Sequence, residues 1–316
     1  MGIHDIHKLD IVIVNWNSGV QLNKCIDSIY EADKSGFELN KVIIVDNASS
    51  DESLSLSDRF GLPLKIIKNS LNRGFAAACN QSAKDSNADY LLFLNPDAVL
   101  FKNSLSKPIL FIEEKVNKNI GIVGIQLVDE NNNISRSCAR FPTLGGFTAM
   151  IFGLDILFPK LGIFMNDWDL KEDRIVDHVI GAFFLPRRQL FESLGGFDER
   201  FFVDFEDIDF SYRAKQLGYS SYYLSSVQAY HKGGGSSEKV KDIRLFYTLR
   251  SRILYGYKHF NMISATFLTF CTFTIEPIAR IALAIKRRSF TDILETLKAY
   301  KLLWSIIPKS LISNRK

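Results

Sequence analysis

The stretch Asp10-Ile11-Val12-Ile13-Val14-Asn15-Trp16-Asn17-Ser18-Gly19 opens a pattern that recurs through the first hundred residues. A short run rich in β-branched side chains ends in polar and small ones, which predicts a buried strand followed by a turn. Apolar residues then recur at the spacing of one helix face, at Leu22, Cys25, Ile26 and Ile29. The stretch therefore predicts a strand, a turn and a helix in that order.

The same alternation continues to residue 97. Apolar runs at 41–45, 64–67 and 90–94 predict three more strands, and the run from Phe75 to Ala83 predicts a second helix. Each strand ends in polar residues, such as Asn95-Pro96-Asp97 after the fourth. Strands that alternate with helices are typical of an α/β fold, in which a mostly parallel sheet is covered by helices.

The later segments extend this prediction. Residues 101–118 and 187–194 predict helices, 120–128 and 177–185 predict buried strands, and 219–224 and 227–230 predict edge-like strands. Gly181-Ala182 lies in the middle of one strand and leaves room for a close approach to the backbone. Residues 129–175 predict long loops and short helices that form a lid or an acceptor wall.

Polar side chains cluster where the predicted strands end: Trp16, Asp46, Asn47, Asp51, Arg73 and Asp97. Ligands of open α/β sheets bind outside the carboxyl ends of the strands. Neither G-x-G-x-x-G after the first strand nor G-x-x-x-x-G-K-[ST] occurs, which excludes a dinucleotide fingerprint and a P-loop. A bound nucleotide would be held by these side chains together with a metal ion.

An acidic loop stands apart from this edge. Phe201-Phe202-Val203-Asp204-Phe205-Glu206-Asp207-Ile208-Asp209-Phe210 places four carboxylates among aromatic side chains just before a helical run. One interpretation is a set of helix-start acids, because helix N-termini favour negative charge. The other is a general base or a cation site, since crowded carboxylates raise one another's pKa. Glu206, Asp207 and Asp209 are the candidate carboxylates for either role.

Bulk properties limit the class of protein. The 316 residues are 47% hydrophobic and 23% charged, which excludes wholesale disorder. The four cysteines contain no C-x-x-C and fit a reducing compartment, and the N-terminus has no signal-peptide pattern. These features predict a cytoplasmic protein.

The charge is unevenly distributed. Residues 1–231 carry 23 Lys and Arg against 30 Asp and Glu, a net −7, whereas residues 232–316 carry 16 against 5, a net +11. The tail is predicted to be helical, and residues 261–275 carry no charge but fall short of the ~20 residues that a spanning helix needs. Glu276-Pro277 and Arg280 interrupt this uncharged stretch. We expect interfacial helices on an anionic membrane. The alternatives are a cytosolic helical subdomain and a dimer interface.

Taken together, the motifs resemble the family 2 glycosyltransferases of the GT-A fold, in particular bacterial rhamnosyltransferase-like enzymes of O-antigen and cell-wall polysaccharide assembly. The matching pieces follow the family's order: V-I-V-N-W-N (12–17), V-D-N-A-S-S-D (45–51), N-R-G-F-A-A-A-C-N (72–80), N-P-D (95–97), G-G-F-D-E-R-F-F with E-D-I-D (195–209), and His231 before a glycine-rich loop. They span residues 10–235. The resemblance implies a Rossmann-like, mixed and mostly parallel sheet with helices on both faces over residues 1–240, and a helical, membrane-associating region over 241–316.

The resemblance also implies residue roles. Asp46 and Asn47 would contact the nucleobase, with Trp16 packed nearby, and Arg73 and Asn80 would lie along the nucleotide and its sugar. Asp97 would hold Mg²⁺ or Mn²⁺ with His231, although Asn95 replaces the family's usual first acid. Asp207 would be the catalytic base, and Glu206 would hold acceptor hydroxyls. The remaining residues of the predicted substrate site come from the same motifs: Asn17, Asp51, Gly74 and Asn95.

Each role has a plainer alternative. Asp97 and Asp46 could be turn residues, His231 a surface histidine, Arg73 a capping group and Trp16 a core residue. For the whole chain, the resemblance implies an inverting hexosyltransferase that uses dTDP-L-rhamnose or a UDP-sugar and a lipid-linked saccharide at the inner membrane face. The alternative is a non-catalytic sugar-nucleotide-binding or assembly subunit. A nucleic-acid partner is not expected, and a homo-oligomer through the C-terminal helices stays open as an alternative.

Overall fold

The computed structural model describes residues 6–55, 61–165, 167–233 and 240–310. The chain divides into two compact units. The sheet unit comprises Met1–Phe141, Trp168–Phe202 and Glu206–Ser236, and the helical unit comprises Pro142–Asp167, Val203–Phe205 and Ser237–Lys316. The stretch 234–239, which contains most of the glycine-rich loop after His231, lies outside the described residues.

The sheet unit is built on one large mixed sheet. Its strands are Lys8–Asn15 (β1), Glu38–Asp46 (β2), Leu64–Lys68 (β3), Tyr90–Leu94 (β4), Ala98–Leu100 (β5), Ile120–Val128 (β6), Ile134–Ser135 (β7), Arg174–Val176 (β9), Phe183–Pro186 (β11) and Ser220–His231 (β12). The order is β3-β2-β1-β4-β11-β6-β12-β5, with β7 on β6 and β9 on β12. Cys138–Ala139 (β8) and His178–Val179 (β10) form a separate antiparallel pair.

Parallel pairing dominates the first half of this sheet. β1 pairs with β2 and β4, and β2 pairs with β3, all in parallel. The register aligns Asn15 with Asp46, so the carboxyl ends of β1 and β2 meet at one edge. The predicted α/β fold with a mixed, mostly parallel sheet is confirmed.

The helices of the sheet unit begin and end close to their predicted positions. They are Val20–Glu31 (α1), Phe75–Ala83 (α2), Ser106–Glu113 (α3), Arg188–Ser193 (α6) and Glu206–Gln216 (α7). The helix predicted over 101–118 is shorter and is followed by a 3₁₀ turn at Lys115–Asn117. Pro108 fits because it occupies the first turn of α3, where a missing N–H costs no internal hydrogen bond.

Two strand predictions were wrong. The run at 177–185 splits into β10 and β11 at Gly181-Ala182, because the chain passes from the small sheet to the large one. The two edge-like strands at 219–230 form the single strand β12, which pairs with β6 on one side and with β9 and β5 on the other. A register shift between Leu224 and Gln228 absorbs the polar residues that suggested a break.

An aromatic cluster holds α7 against the sheet. Phe210 of α7 packs on Phe184, Phe191 and Phe197, and Phe93 of β4 contacts the same three rings, with centroids 5.0–6.5 Å apart. Full burial of one such side chain contributes about 1.5–3 kcal/mol. The cluster therefore anchors the helix that carries Glu206 and Asp207.

The helical unit contains Leu144–Ile151 (α4), Leu154–Leu157 (α5), Lys241–His259 (α8), Met262–Lys286 (α9) and Phe290–Ser310 (α10). The uncharged stretch 261–275 was expected to be too short to span a membrane, but it belongs to a longer helix, because α9 continues through Pro277 and has 25 residues in all. By length and composition, α9 is the one helix in the described part of the chain that could cross a membrane. Its middle is held by a buried ion pair in which Arg252 of α8 lies 2.6 Å from Glu276.

Candidate active site

The carboxyl ends of β1 and β2 meet at Asn15 and Asp46. The Asn15 amide donates to Asp46 Oδ1 at 2.8 Å and to Ser53 Oγ at 2.8 Å, and the Ser49 N–H donates to Asp46 Oδ2 at 3.2 Å. Asp46 is only 5% exposed. Its carboxylate is thus fixed in direction by the turn that follows β2.

The turn after β1 adopts a conformation that its sequence permits. Asn17 has φ 51°, which asparagine tolerates better than most residues. Its side-chain oxygen accepts from the Ser50 N–H at 2.8 Å, and Asp51 accepts from the Gly19 N–H at 2.8 Å. These bonds tie the turns after β1 and β2 together, with Trp16 half-buried beside them.

Gly74 brings the N-R-G-F motif against the acidic loop. A Cβ on Gly74 would lie 2.5 Å from the Phe202 carbonyl oxygen, and its φ is +86°. The Phe75 N–H donates to that carbonyl at 2.7 Å, and the Asn47 amide donates to the Gly74 carbonyl at 3.1 Å. Only glycine fits this approach. Arg73, beside it, is exposed and makes no hydrogen bond or ion pair with the residues that the structure describes.

Asn80 of α2 is engaged within the protein. Its amide donates to the Phe197 carbonyl at 2.8 Å and to Glu199 at 3.1 Å, and its oxygen accepts from the Phe197 N–H at 2.9 Å. These bonds join α2 to the loop after α6. The predicted contact of Asn80 with the nucleotide sugar stays a prediction.

Three of the predicted residues converge at the end of β12. His231 Nε2 lies 3.3 Å from Asp97 Oδ1 and 3.3 Å from the Asn95 amide nitrogen. The convergence follows from strand pairing, because β12 pairs with β5 and places His231 opposite Ala98. No group of three or more His, Cys, Asp or Glu side chains that could hold a metal occurs among the described residues. The donor set here is therefore one carboxylate, one imidazole and one amide.

Glu206 and Asp207 begin α7, and both carboxylates lie close to Gly181. The Gly181 N–H donates to Asp207 Oδ2 at 2.8 Å, and a Cβ on Gly181 would lie 3.6 Å from the same oxygen and 3.9 Å from Glu206 Oε1. The close approach predicted at Gly181-Ala182 is thus made by the two acids themselves. Glu206 is buried, whereas Asp207 is partly exposed.

Asp209, the other candidate base, forms an ion pair with an arginine. Its carboxylate is fully buried and lies 2.8 Å from the Arg213 guanidinium one turn along α7. Arg213 in turn donates to the Leu194 and Gly196 carbonyls at 2.8 and 2.9 Å. Of the crowded acids, Asp207 therefore has the accessibility that a base needs.

His178 is a neighbour of the base that the sequence motifs did not indicate. It is 3% exposed, and its Nε2 has no hydrogen-bond partner among the described residues. Burial lowers the pKa of His178 from its ordinary value of 6.5, and the charge of Asp207 offsets part of that shift. A single histidine inside an apolar strand belongs to no motif with a defined residue spacing, so the sequence alone did not indicate that it lies near the base.

The architecture defines a class of protein. The mannosyltransferase PcManGT from Pyrobaculum calidifontis, solved with GDP-Man and Mn²⁺, superposes with a TM-score of 0.56 at 15% identity, covering 95% of this chain and 88% of that one. S. aureus TarS 1-349 superposes with a TM-score of 0.52 at 15% identity, covering 95% and 91%. At these identities the likeness shows the fold, which is that of the GT-A glycosyltransferases.

The sequence narrows the class to a family. Residues 10–195 match the model of glycosyl transferase family 2, and this chain belongs to that family. It is 24% identical over 236 residues to the N-acetylglucosaminyl-diphospho-decaprenol L-rhamnosyltransferase of Mycobacterium tuberculosis, covering 71% of this chain and 75% of that protein. It is 26% identical over 230 residues to the rhamnosyltransferase WbbL of Escherichia coli K12, covering 70% and 82%. The resemblance that the motifs indicated is confirmed.

Proposed function

We propose that this glycosyltransferase moves a sugar from a nucleotide-diphosphate donor, L-rhamnose from dTDP-L-rhamnose, to a hydroxyl of a lipid-linked saccharide in surface polysaccharide biosynthesis. The names of two relatives support the sugar, and the name of one of them, the decaprenol L-rhamnosyltransferase, supports the lipid-linked acceptor. The observation that carries the chemistry is the Asp207 carboxylate, which is partly exposed and held at 2.8 Å by the Gly181 N–H.

Asp207 would act as the general base. One of its carboxylate oxygens, Oδ2 held by the Gly181 N–H or Oδ1 held by the Ile208 N–H at 2.8 Å, takes the proton of the acceptor hydroxyl through a remaining lone pair, while the hydroxyl oxygen forms a bond to the anomeric carbon. The bond from that carbon to the diphosphate breaks on the opposite face, so one displacement inverts the configuration. Because a single carboxylate completes this reaction, no second nucleophile is needed, and such base catalysis contributes ~10²–10⁴ in rate.

The strand ends would hold the donor. Asp46 and Asn47 stand at the carboxyl end of β2, the edge where ligands of such sheets bind, and internal hydrogen bonds fix both side chains, with Trp16, Asn17 and Asp51 in the neighbouring turns. Exposed Arg73 supplies a positive charge for the diphosphate. Glu206 lies beside Gly181 and would hold acceptor hydroxyls.

A divalent cation would complete the donor site. The Asp97 carboxylate and His231 Nε2, 3.3 Å apart, converge as an oxygen and a nitrogen donor, which fits Mg²⁺ or Mn²⁺ with the remaining positions filled by phosphate oxygens and water. When bound, such a cation neutralises charge on the departing diphosphate. Asn95 adds an uncharged contact where a second carboxylate would bind a cation more tightly.

The helical unit would lie on the inner face of the cell membrane. Its α9 and α10 expose large apolar side chains, among them Ile263, Phe270, Ile278, Ile285, Phe290 and Trp304, close in sequence to the exposed cations Lys286, Arg287 and Arg288. A membrane span would place Glu276 near mid-bilayer, where its buried pair with Arg252 ties it instead to the polar helix α8. We therefore favour helices lying in the interface, and a homo-oligomer through them stays a prediction.

The second candidate function is that of a non-catalytic protein with the same fold. The amide of Asn95 in place of an acid favours it, because a weak cation site is expected of a non-catalytic sugar-nucleotide-binding subunit. A calorimetric panel of dTDP-rhamnose, UDP-galactose, UDP-glucose, UDP-N-acetylglucosamine and GDP-mannose, with and without Mn²⁺, tests donor binding. Each donor that binds is then incubated with a lipid-linked saccharide. Binding with transfer supports the enzyme, binding without transfer supports the second candidate, and no binding by folded protein overturns both.

A further inference from the structure

Two residues directly before the catalytic helix have left-handed backbones. Asp204 has φ 63° and Phe205 has φ 78°, and they are the one consecutive pair of non-glycine residues with positive φ in the described part of the chain. Aspartate tolerates this conformation moderately and phenylalanine poorly. Such conformations persist only where surrounding contacts impose them, and they concentrate at functional sites.

Contacts within the helical unit impose this conformation. The Thr248 hydroxyl of α8 donates to Asp204 Oδ2, and the Ser251 hydroxyl donates to the Val203 carbonyl at 3.1 Å. The Phe205 ring packs between Phe147 and Tyr255, with centroids 6.0 and 5.7 Å away. All three residues of this tripeptide thus have contacts inside the helical unit, to which they belong, although the residues on either side belong to the sheet unit.

Thr248 has a second acceptor within reach. Its hydroxyl also lies 3.0 Å from the Arg244 carbonyl one turn back on α8. A hydroxyl has one hydrogen, and an ionised carboxylate is the stronger acceptor. The hydrogen therefore goes to Asp204.

The direction in which the chain enters α7 follows from these two residues. α7 begins at Glu206, immediately after Phe205, and Asp207 is its second residue. Asp207 receives its 2.8 Å hydrogen bond from Gly181 only if the helix begins in that place and direction. A change in the backbone of Asp204 or Phe205 would displace the carboxylate from this bond.

We propose that Asp204 and Thr248 are positioning residues for the base: their hydrogen bond holds the left-handed turn that places Asp207 against Gly181. The catalytic consequence rests on the proposed transferase function, whereas the positioning itself does not. Thr248→Val removes the hydroxyl with little change of shape, and Thr248→Ser keeps it, which makes a matched pair.

The first measurement requires no substrate. The backbone amide of Gly181 is followed by NMR in protein carrying ¹⁵N-glycine, with its signal assigned by Gly181→Ala. Asp207→Ala marks the position that the signal takes when the hydrogen bond is lost. In Thr248→Val we expect the Gly181 signal to move toward that position and its hydrogen exchange to accelerate, while Thr248→Ser resembles the wild type.

The second measurement is kinetic. In Thr248→Val we expect kcat to fall about tenfold, because a small misplacement of a reacting group is costly, while the KM for the donor stays within about twofold. Thr248→Ser should restore kcat. Asp204→Ala is expected to behave like Thr248→Val, and Asp204→Asn, which keeps an acceptor oxygen, to lose less.

The outcomes distinguish the positioning role of Thr248 from the proposed transferase function. An unmoved Gly181 signal in folded Thr248→Val overturns the positioning role, whatever the activity. A moved signal in a protein that transfers no sugar retains the positioning role and counts against the proposed transferase. A loss of thermal stability with unchanged Gly181 signal and kcat would show that the hydrogen bond is structural only, and would also overturn the proposal.

Discussion

His231 Nε2 lies 3.3 Å from Asp97 Oδ1, although 133 residues separate them in the chain. The contact exists because β12 pairs with β5, so the last residue of one strand faces the start of the other. A carboxylate and an imidazole held in this way are suited to share a divalent cation.

The proposed cation site can be tested both by a variant that should weaken Mn²⁺ binding and by one that should strengthen it. Asp97→Ala should weaken Mn²⁺ binding in the presence of donor nucleotide by at least about tenfold, since it removes the one carboxylate of the donor set. Asn95→Asp should strengthen it, because it adds the missing negative charge. Calorimetric titration with Mn²⁺ measures both. Equal Mn²⁺ affinities in wild type and Asp97→Ala would remove Asp97 from the cation site.

The base assignment predicts a large kinetic effect. Asp207→Asn should lose at least about a hundredfold in turnover, because an amide cannot take the proton. Donor binding should survive, and so should the fold, since the amide oxygen can still accept the Gly181 N–H. Asp85→Asn, an exposed change of the same charge beyond α2, is the control. Unchanged turnover in Asp207→Asn would end the assignment.

Gly74 should be more sensitive to a side chain than another left-handed glycine. Gly74→Ala places a Cβ against the Phe202 carbonyl, whereas a Cβ added to Gly195, with φ +72°, would meet nothing within 4 Å. Both variants incur backbone strain of about 1–2 kcal/mol, and Gly74→Ala should lose about 1–3 kcal/mol more from the clash. Urea unfolding measures the difference. Equal losses would show that the close approach of Gly74 to Phe202 is not rigid.

His178 should contribute to the pH dependence of stability. Its buried side chain stays neutral in the folded protein at pH values where the unfolded chain takes up a proton, because burial lowers its pKa. The free energy of unfolding should therefore decrease as the pH falls below about 6.5. The groups that face it include Asp207 and Asp177, and Lys215 pairs with Asp177 at 3.1 Å.

The variant His178→Gln removes this titration. Its free energy of unfolding, measured by urea between pH 7.5 and 5.5, should change less with pH than that of the wild type. Parallel curves for the two proteins would show that another group causes the acid sensitivity.

Membrane binding should depend on the three cations at the C-terminal end of α9. Replacing Lys286, Arg287 and Arg288 by glutamine removes about 1 kcal/mol of attraction each at an anionic surface, so vesicle affinity should fall by about two orders of magnitude. Glutamine at the exposed residues Lys107, Lys115 and Lys118 of the sheet unit changes the net charge equally and should have little effect. Co-sedimentation with anionic and neutral vesicles measures both variants. Equal losses would indicate attraction by net charge alone.

Several elements could be predicted because their cause is local. The apolar runs of β1, β2 and β4 are stable only when they are buried, and their length predicts strands. The helix-face spacing of the apolar residues in two later segments predicts α1 and α2. The motifs that follow the strands lie in the family's order, which is why the family could be recognised. Within the site, the close approach at Gly181 could be predicted because a residue without a side chain interrupts an apolar run.

Other features depended on partners far away in the chain. The polar break near residue 226 resembles the end of a strand, but pairing with β6 and β5 on both sides carries β12 through it. The uncharged stretch 261–275 looked too short to span a membrane, but α9 continues through Glu276 and Pro277, where the ion pair with Arg252 and the packing of α8, α9 and α10 hold the helix together. In both cases tertiary contacts outweighed local preference.

The sequence by itself determined the strands, most of the helices, the family and the short set of acids among which a base had to be found. Only the tertiary structure distinguishes the surroundings of those acids: Asp209 is paired with Arg213, while Asp207 accepts a hydrogen bond from Gly181. It also decided that Asp97 meets His231 and that residues 203–205 contact α8. The physical reason is that spacing along a chain sets local conformation and the buried face, whereas the neighbour across a sheet or a loop is set by pairing between distant segments.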